Sequence, residues 1–400
     1  MQPITNLTVM KKIYIVSAKR TPIGSFGGKL SSLSAIDLGV IASKAAVTAA
    51  NIDGNDIGEV FFGNVCQANL GQAPARQIAI KSGLSVSVPC TTVNKVCASG
   101  MKSAMLGALS LQLSDRPILV GGTESMSNIP FYLGDLRWGR KYGHSQIIDG
   151  LQKDGLTDIY DQVAMGSFAD ETASEFGISR EEQDEFAINS YKRSQSATEN
   201  GLFSGEIESV SIAQRKGPDL IIDRDEECYN VVFDKIPSLR PAFTPDGTVT
   251  AANASTINDG ASALILADED YVKSHGLTPL AEIIAFSDAA HSPKRFTTAP
   301  TLAAPLALKR AGLSMGDIDL FEVNEAFAVV ALAFIKSFDL DPAKVNIHGG
   351  AVALGHPLGA SGARILTTLV HAMKTKNAEH GLATICNGGG GASAIVLKLV

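Results

Sequence analysis

Apolar positions along the chain fall into short blocks that switch between two spacings. Ile13-Tyr14-Ile15-Val16 and Glu59-Val60-Phe61-Phe62 read as buried strands, the second ended by Gly63-Asn64. Between them lie a turn-rich segment, Arg20 to Gly28, and an Ala-rich stretch, Asp37 to Ala50, that predicts a helix. β-Branched residues then run up to Cys97, and small residues open a helical pattern through Ala104, Leu106, Ala108, Leu109 and Leu111. Ile118-Leu119-Val120 is a further strand, stopped by Gly121-Gly122. Strands and helices alternating in this way predict a layered α/β domain. From about Met126 to Ala251 the texture changes: this stretch holds the only Trp, most of the Tyr, and the charged run Arg180-Glu181-Glu182-Gln183-Asp184-Glu185. It predicts a long insertion that shapes a binding site. From Ala281 to Phe286 onward the α/β alternation resumes.

The two α/β parts echo each other. Cys97-Ala98-Ser99-Gly100-Met101-Lys102 has a counterpart in Gly359-Ala360-Ser361-Gly362-Ala363-Arg364. Asp56-Ile57 before Val60 to Asn64 resembles Asp317-Ile318 before Phe321 to Glu325, and Ile118 to Gly122 resembles Thr384 to Gly389. Three matches in one order predict an internal duplication whose site lies where the halves meet.

Composition narrows the classes. Four hundred residues exceed what one hydrophobic core supports, so more than one domain is expected. A net charge of −7 without a Lys/Arg-rich run argues against a nucleic-acid partner. Five cysteines without paired spacing argue against a disulfide framework, and no clustered His/Cys pattern marks a zinc site. Met1 to Val9 lacks the features of a secretory signal, and the longest apolar run, Phe327 to Ile335, is about half of a membrane span. A cytoplasmic location follows by default.

Four stretches have the composition of chemistry. Cys97 lies at a strand-to-helix turn beside free helix N–H groups, which favours its thiolate; a buried, space-filling cysteine fits that stretch equally well. His356, between Gly355 and Pro357, sits where a loop aims an imidazole into a cavity or merely completes a turn. Cys386 ends a strand and precedes four glycines, whose N–H groups can converge on an anion or serve a tight turn. Asn324 stands in an apolar stretch, where its amide holds a water or is satisfied by backbone.

Together these stretches resemble the thiolase family, in its biosynthetic acetoacetyl-CoA branch. The matching motifs keep the family's order: Asn94 to Ser99, Asn253 to Gly260, Asn324-Glu325-Ala326-Phe327, Gly355 to Gly362, and Cys386 to Gly391. The resemblance spans Ile13 to Leu399. It implies a duplicated five-layer α/β/α/β/α fold with an inserted loop domain. The implied division is 1–126 completed by 258–278, a coenzyme A-binding loop domain at 127–257, and a second half at 279–400. It implies condensation of two acetyl-CoA to acetoacetyl-CoA and the reverse thiolysis, without metal or redox chemistry. Cys97 would be the nucleophile, His356 its base, and Cys386 the acid and base at the second substrate. His356 and a water on Asn324 would form one oxyanion hole, and the N–H groups of Cys97 and Gly388 the other. The resemblance places Ser255 near the pantetheine of coenzyme A, Lys235 with Asn230, Val231 and Val232 near its nucleotide, and Met165 in the acyl pocket. Many members have His where Ala164 stands. Some bind K+, at positions resembling Tyr191, Ala251, Ala252, Ala254 and Val352, and a homotetramer is implied. A longer-chain 3-ketoacyl-CoA thiolase is the nearest rival. A ketosynthase would have His or Asn at Cys386, and a non-catalytic CoA- or lipid-binding protein would not need both cysteines.

Overall fold

A computed structural model describes residues 10–400; the Met1 to Val9 segment considered above lies outside them. The first elements are β1 (Ile13–Arg20), β2 (Gly24–Ser25), α1 (Ala35–Ala50), β3 (Glu59–Gly63), α2 (Pro74–Lys81), β4 (Cys90–Val93), α3 (Ser99–Ser110) and β5 (Ile118–Ser125). Helix α1 starts two residues before the predicted Asp37. Ser34 caps it by accepting the Asp37 N–H, and the Asp37 carboxylate accepts the Ser34 N–H in return. The inserted stretch forms two short hairpins, β6–β7 (Phe131–Tyr132, Ile148–Asp149) and β8–β9 (Val210–Ile212, Leu220–Ile222). Between them lie α4 (Met165–Glu175) and α5 (Arg180–Glu199). Then come β10 (Asn258–Asp268), α6 (Glu269–Ser274), β11 (Ala281–Ala290), α7 (Pro300–Ala311), β12 (Leu320–Val323), α8 (Ala328–Phe338), α9 (Ala351–Leu354), α10 (Leu358–Lys376), β13 (His380–Asn387) and β14 (Gly391–Leu399).

The long strands form one hydrogen-bonded sheet in the order β4-β3-β5-β10-β1-β11-β14-β13-β12. Its two sides repeat. β3 is parallel to β5, which is antiparallel to β10, which is antiparallel to β1; β12, β13, β14 and β11 follow the same pattern. Even β4 has a rudiment in the second half, a single parallel bridge of Val345 to Phe321. The predicted duplication is therefore present in the backbone.

Alternating side chains build the layers. On β10, Leu264 and Leu266 join the cluster around α3 and α10, while Ala263, Ile265 and Ala267 join that of α1 and α2. The second half packs its other face on α7 and α8 through Ala303, Ala307, Phe321, Phe334, Leu382 and Val396. The order of layers is helices, sheet, the α3–α10 pair, sheet, helices. A buried triad fastens the inserted stretch to this body: Arg20 of β1 donates to Glu206 at 2.6 Å and to Asp225 at 2.7 and 3.0 Å.

The central layer is close because glycines stand at the crossing. A Cβ on Gly100 of α3 would lie 2.7 Å from the Ala363 nitrogen of α10, and one on Gly362 would lie 2.3 Å from the Met101 nitrogen. Gly122 departs from the sequence-based expectation. β5 does not stop at Gly121-Gly122 but runs on to Ser125, paired with β10 throughout. Gly122 serves close approach: a Cβ there would sit 1.9 Å from the Gly359 carbonyl oxygen. Overpacking typically costs about 1–3 kcal/mol where a side chain can yield. Here the obstacle is backbone, so Gly122→Ala should cost more than about 3 kcal/mol; an unchanged thermal midpoint would refute this reading of the interface.

Candidate active site

The crossing sets the N-termini of α3 and α10 side by side, and both open into one cavity of about 1570 Å³ lined by Cys97, His356, Gly388, Met165 and Ser255. Cys97 stands between β4 and α3, as the sequence predicts. Its turn is tightly tied. Val96 takes a left-handed φ of 48°, a conformation costly for a β-branched residue. Asn94 Oδ1 accepts the Val96 N–H at 3.0 Å, and Ser99 Oγ accepts the Lys95 N–H at 2.8 Å and donates to the Val96 carbonyl at 2.6 Å. Lys95 crosses to the second half, where it meets Asp288 and, at 2.7 Å, Ser393 Oγ.

The exposed part of the half-buried Cys97 faces the cavity, and its sulfur meets the N–H groups of Gly388 and of Cys97 itself. These N–H groups favour the thiolate, yet burial outweighs them and pushes the thiol up to about 12. The N–H groups expected from the sequence are present, and desolvation acts against them. His356 is 5% exposed and neutral for the same reason, burial first and the Arg364 charge second pushing it down to about 3. Ser361 Oγ donates to the Pro357 carbonyl at 2.9 Å, so its contact with His356 Nδ1 at 2.5 Å takes the Nδ1 proton. Nε2 is then the free base, and it is buried without a protein partner among the described residues. Asn258 Oδ1 accepts the His356 N–H at 2.9 Å.

Cys386 and Asn324 are fully buried behind the cavity wall. Cys386 packs with Phe327 and Phe168; burial, then the neighbouring Cys97, pushes its thiol up. Among the described residues both polar atoms of the Asn324 side chain lack a partner. The backbone alternative for this asparagine therefore fails among the described residues. Of the glycines after Cys386, Gly389 and Gly390 adopt φ of 85° and 84°.

Ser255 donates its hydroxyl to the Ala326 carbonyl at 2.8 Å, and Met165 begins α4. Lys235, Asn230 and Val232 are exposed and Val231 half-buried, and none of the four lines the cavity. Asn230 touches its edge through Ser25 Oγ at 3.1 Å. Ala251 and Ala254 line the cavity, whereas Tyr191, Ala252 and Val352 are buried off it. Sequence reasoning assigned no role to Ser361 or Asn258, although both fall inside quoted motifs. It also passed over Phe243, which stands on Gly166 and edges Phe327 at 5.8 Å.

A model of the thiolase N-terminal domain matches residues 13–270, and one of the thiolase C-terminal domain matches residues 277–399. The chain belongs to the thiolase family. This thiolase is 53% identical to the acetyl-CoA acetyltransferase of Schizosaccharomyces pombe, over 98% of its own length and all of the relative's. It is 51% identical to the mitochondrial acetyl-CoA acetyltransferase of Homo sapiens, over 97% and 91% of the two chains. The Acat5 thiolase of Ascaris suum, solved in complex with coenzyme A, superposes with a TM-score of 0.93 at 46% identity, covering 98% of this thiolase and all of that chain. The duplicated five-layer fold that the family resemblance implied is thus the fold observed.

Because Ser361 alone orients the imidazole through Nδ1, Ser361→Ala should lower turnover roughly tenfold through loss of about one hydrogen bond, without unfolding the chain. Steady-state rates beside a thermal melt check this; full activity would leave His356 held by some other contact.

Proposed function

We propose that this chain is an acetyl-CoA C-acetyltransferase, joining two acetyl-CoA into acetoacetyl-CoA plus CoA and running the reverse thiolysis. The observation that carries the reading is Cys97, Gly388 and His356 lining one cavity, with His356 Nε2 unpaired among the described residues. Similarity to relatives named acetyl-CoA acetyltransferase supports the short acyl chain. With the thiol pushed up to about 12, attack needs the proton to leave as the bond forms. His356 Nε2 takes it while Cys97 sulfur adds to the thioester carbonyl. The two N–H groups hold the tetrahedral oxyanion, and CoA departs with the proton from His356. Cys386 then hands its own proton to the freed His356 and, as the thiolate, removes an α proton from the second acetyl-CoA, with protonated His356 and a water on Asn324 facing the enolate oxygen. The enolate carbon attacks the acetyl-cysteine, and Cys97 leaves as the thiol with the proton from His356. Every step exchanges C–S, C–C and C–H bonds without net oxidation, so no redox cofactor enters.

In the same reading, residues 1–126 with 258–278 and residues 279–400 are the two halves, and 127–257 is the coenzyme A-binding loop domain. Ser255 meets the pantetheine. Asn230, Val231, Val232 and Lys235 receive the nucleotide at the cavity edge, which Asn230 borders through Ser25. Among the described residues no helix is long and apolar enough to cross a membrane. A homotetramer in the cytoplasm completes the proposal; relatives are named for both the cytosol and the mitochondrion.

Cys386→Ala should still accept an acetyl group on Cys97 but form almost no acetoacetyl-CoA, and Cys97→Ser should take up none. Intact-mass analysis after incubation with acetyl-CoA, beside exchange of its methyl protons with deuterated solvent, separates the two steps. Wild-type exchange in the Cys386→Ala variant would remove Cys386 as the base. Thiolysis that favours substrates longer than C4 would move the chain to the longer-chain class.

We also propose K+ at Tyr191, Ala251, Ala252, Ala254 and Val352. Tyr191 and Val352 share one buried cluster. Burial first, then Glu227, Glu325 and Cys228, pushes the Tyr191 hydroxyl up, and the charged groups facing it are acidic, which suits a cation. The thermal midpoint should be higher in K+ than in Na+, and Tyr191→Phe should shrink the gap; equal midpoints for the wild type would end this proposal.

A further inference from the structure

We propose that Glu124 is a positioning residue for the reaction, fixing the Cys97 turn and the His356 loop relative to each other through its two carboxylate oxygens. The inference rests on the roles proposed above for Cys97 and His356. Glu124 is the penultimate residue of β5 and is 1% exposed. Its partners are all uncharged N–H groups. Oε1 accepts from Asn64 Nδ2 at 2.9 Å and from the Cys66 N–H at 3.1 Å. Oε2 accepts from the Val65 N–H at 3.0 Å and from the Gly359 N–H at 2.9 Å. A buried carboxylate is costly to desolvate, and burial pushes this one up to about 7 despite its donors. Its shape suits four converging donors as no neutral side chain does, because glutamine would turn an NH2 group toward two of them.

One arm leads to the nucleophile. Val65 and Cys66 form a buried cluster with Leu358, against which Val96 and Cys97 pack. Asn94 Nδ2 donates to the Val65 carbonyl at 3.3 Å while Asn94 Oδ1 holds the Val96 N–H, so the strained residue before Cys97 is gripped from this side. The other arm leads to the base. Gly359 is the second residue of α10, where an N–H has no partner within the helix, and a carboxylate there also meets the positive end of the helix. The same first turn carries Ser361, which orients His356. Gly359 has no slack: a Cβ on it would lie 2.5 Å from the Thr123 carbonyl and 2.9 Å from Asn64 Cα. Glu124 thus joins a segment of the first half to a helix of the second, and the thiol-to-imidazole distance hangs on that joint. Proton transfer needs heavy atoms within roughly 2.6–3.2 Å, and a displacement of about 1 Å can cost on the order of 10² in rate.

Glu124→Gln preserves volume and tests the joint. Its kcat for condensation should fall on the order of 10²-fold with KM for acetyl-CoA within about threefold, because the lost interaction acts on the reacting groups. Combined with Ser361→Ala, it should lose little more than Glu124→Gln alone, since both act through the first turn of α10. Multiplicative losses, an unchanged kcat, or a KM rise at constant kcat would overturn the positioning role. Intact-mass measurement of acetyl-Cys97 in the wild type separates this from the premise: no label there defeats the nucleophile assignment and the inference together, whereas label with unaffected Glu124→Gln turnover defeats only the inference. If Glu124→Gln does not fold, Asn64→Ala removes one of the four donors. It should show the same kcat-only loss and the same non-additivity with Ser361→Ala on a smaller scale, and additive losses there would equally overturn the proposal.

Discussion

Backbone contact between α3 and α10 is the constraint on which the rest depends. Each helix places one proposed reacting group at its N-terminal end, Cys97 before α3 and His356 before α10. Two helices bearing ordinary side chains at the crossing would stand farther apart, with axes about 8–10 Å from each other at best. Gly100 and Gly362 remove that spacing, and Gly122 lets the Gly359 turn settle onto β5. The duplicated sheets then act as two jaws holding one helix each, and the site is the place where the jaws touch.

That closeness decides the electrostatics. A helix N-terminus favours an anion, and the N–H groups of Cys97 and Gly388 do face the sulfur. Yet the same packing that brings them there strips water from the thiol, and the desolvation is larger. His356 responds in the opposite sense to the same cause, since burial disfavours the charged form of each. In the proposed reaction the ordered N–H groups serve the charge that develops on the substrate oxygen, away from bulk solvent.

Much of this was legible in the residue order, for reasons that are local. Short continuous apolar blocks mark β1, β3 and β5, and the repeated motif around Gly100 and Gly362 marks the duplicated helix pair. Cys97, His356, Cys386 and Asn324 stand out because each breaks the composition of its neighbourhood. What stayed illegible is what only the fold assembles. Gly121-Gly122 looks like a stop until β10 is laid beside it. Glu124 carries no local mark because its partners lie from 58 to 235 residues away. Asn230, Val231, Val232 and Lys235 sit on a segment whose course over the surface no periodicity dictates, and they fall outside the cavity lining.

The place of β10 has a consequence for how the chain is made. In the sheet it lies between β1 and β5, yet it follows them by more than a hundred residues. During synthesis both neighbours leave the ribosome with an unpaired edge and wait until Asp268 has emerged. Unpaired strand edges of this composition invite pairing with other chains. In the second half the wait is shorter: β11 ends at Ala290 and its partner β14 begins at Gly391, while β13 and β14 adjoin. The half made first is therefore completed late, and the nascent chain is most exposed to misassembly while the inserted stretch is being translated.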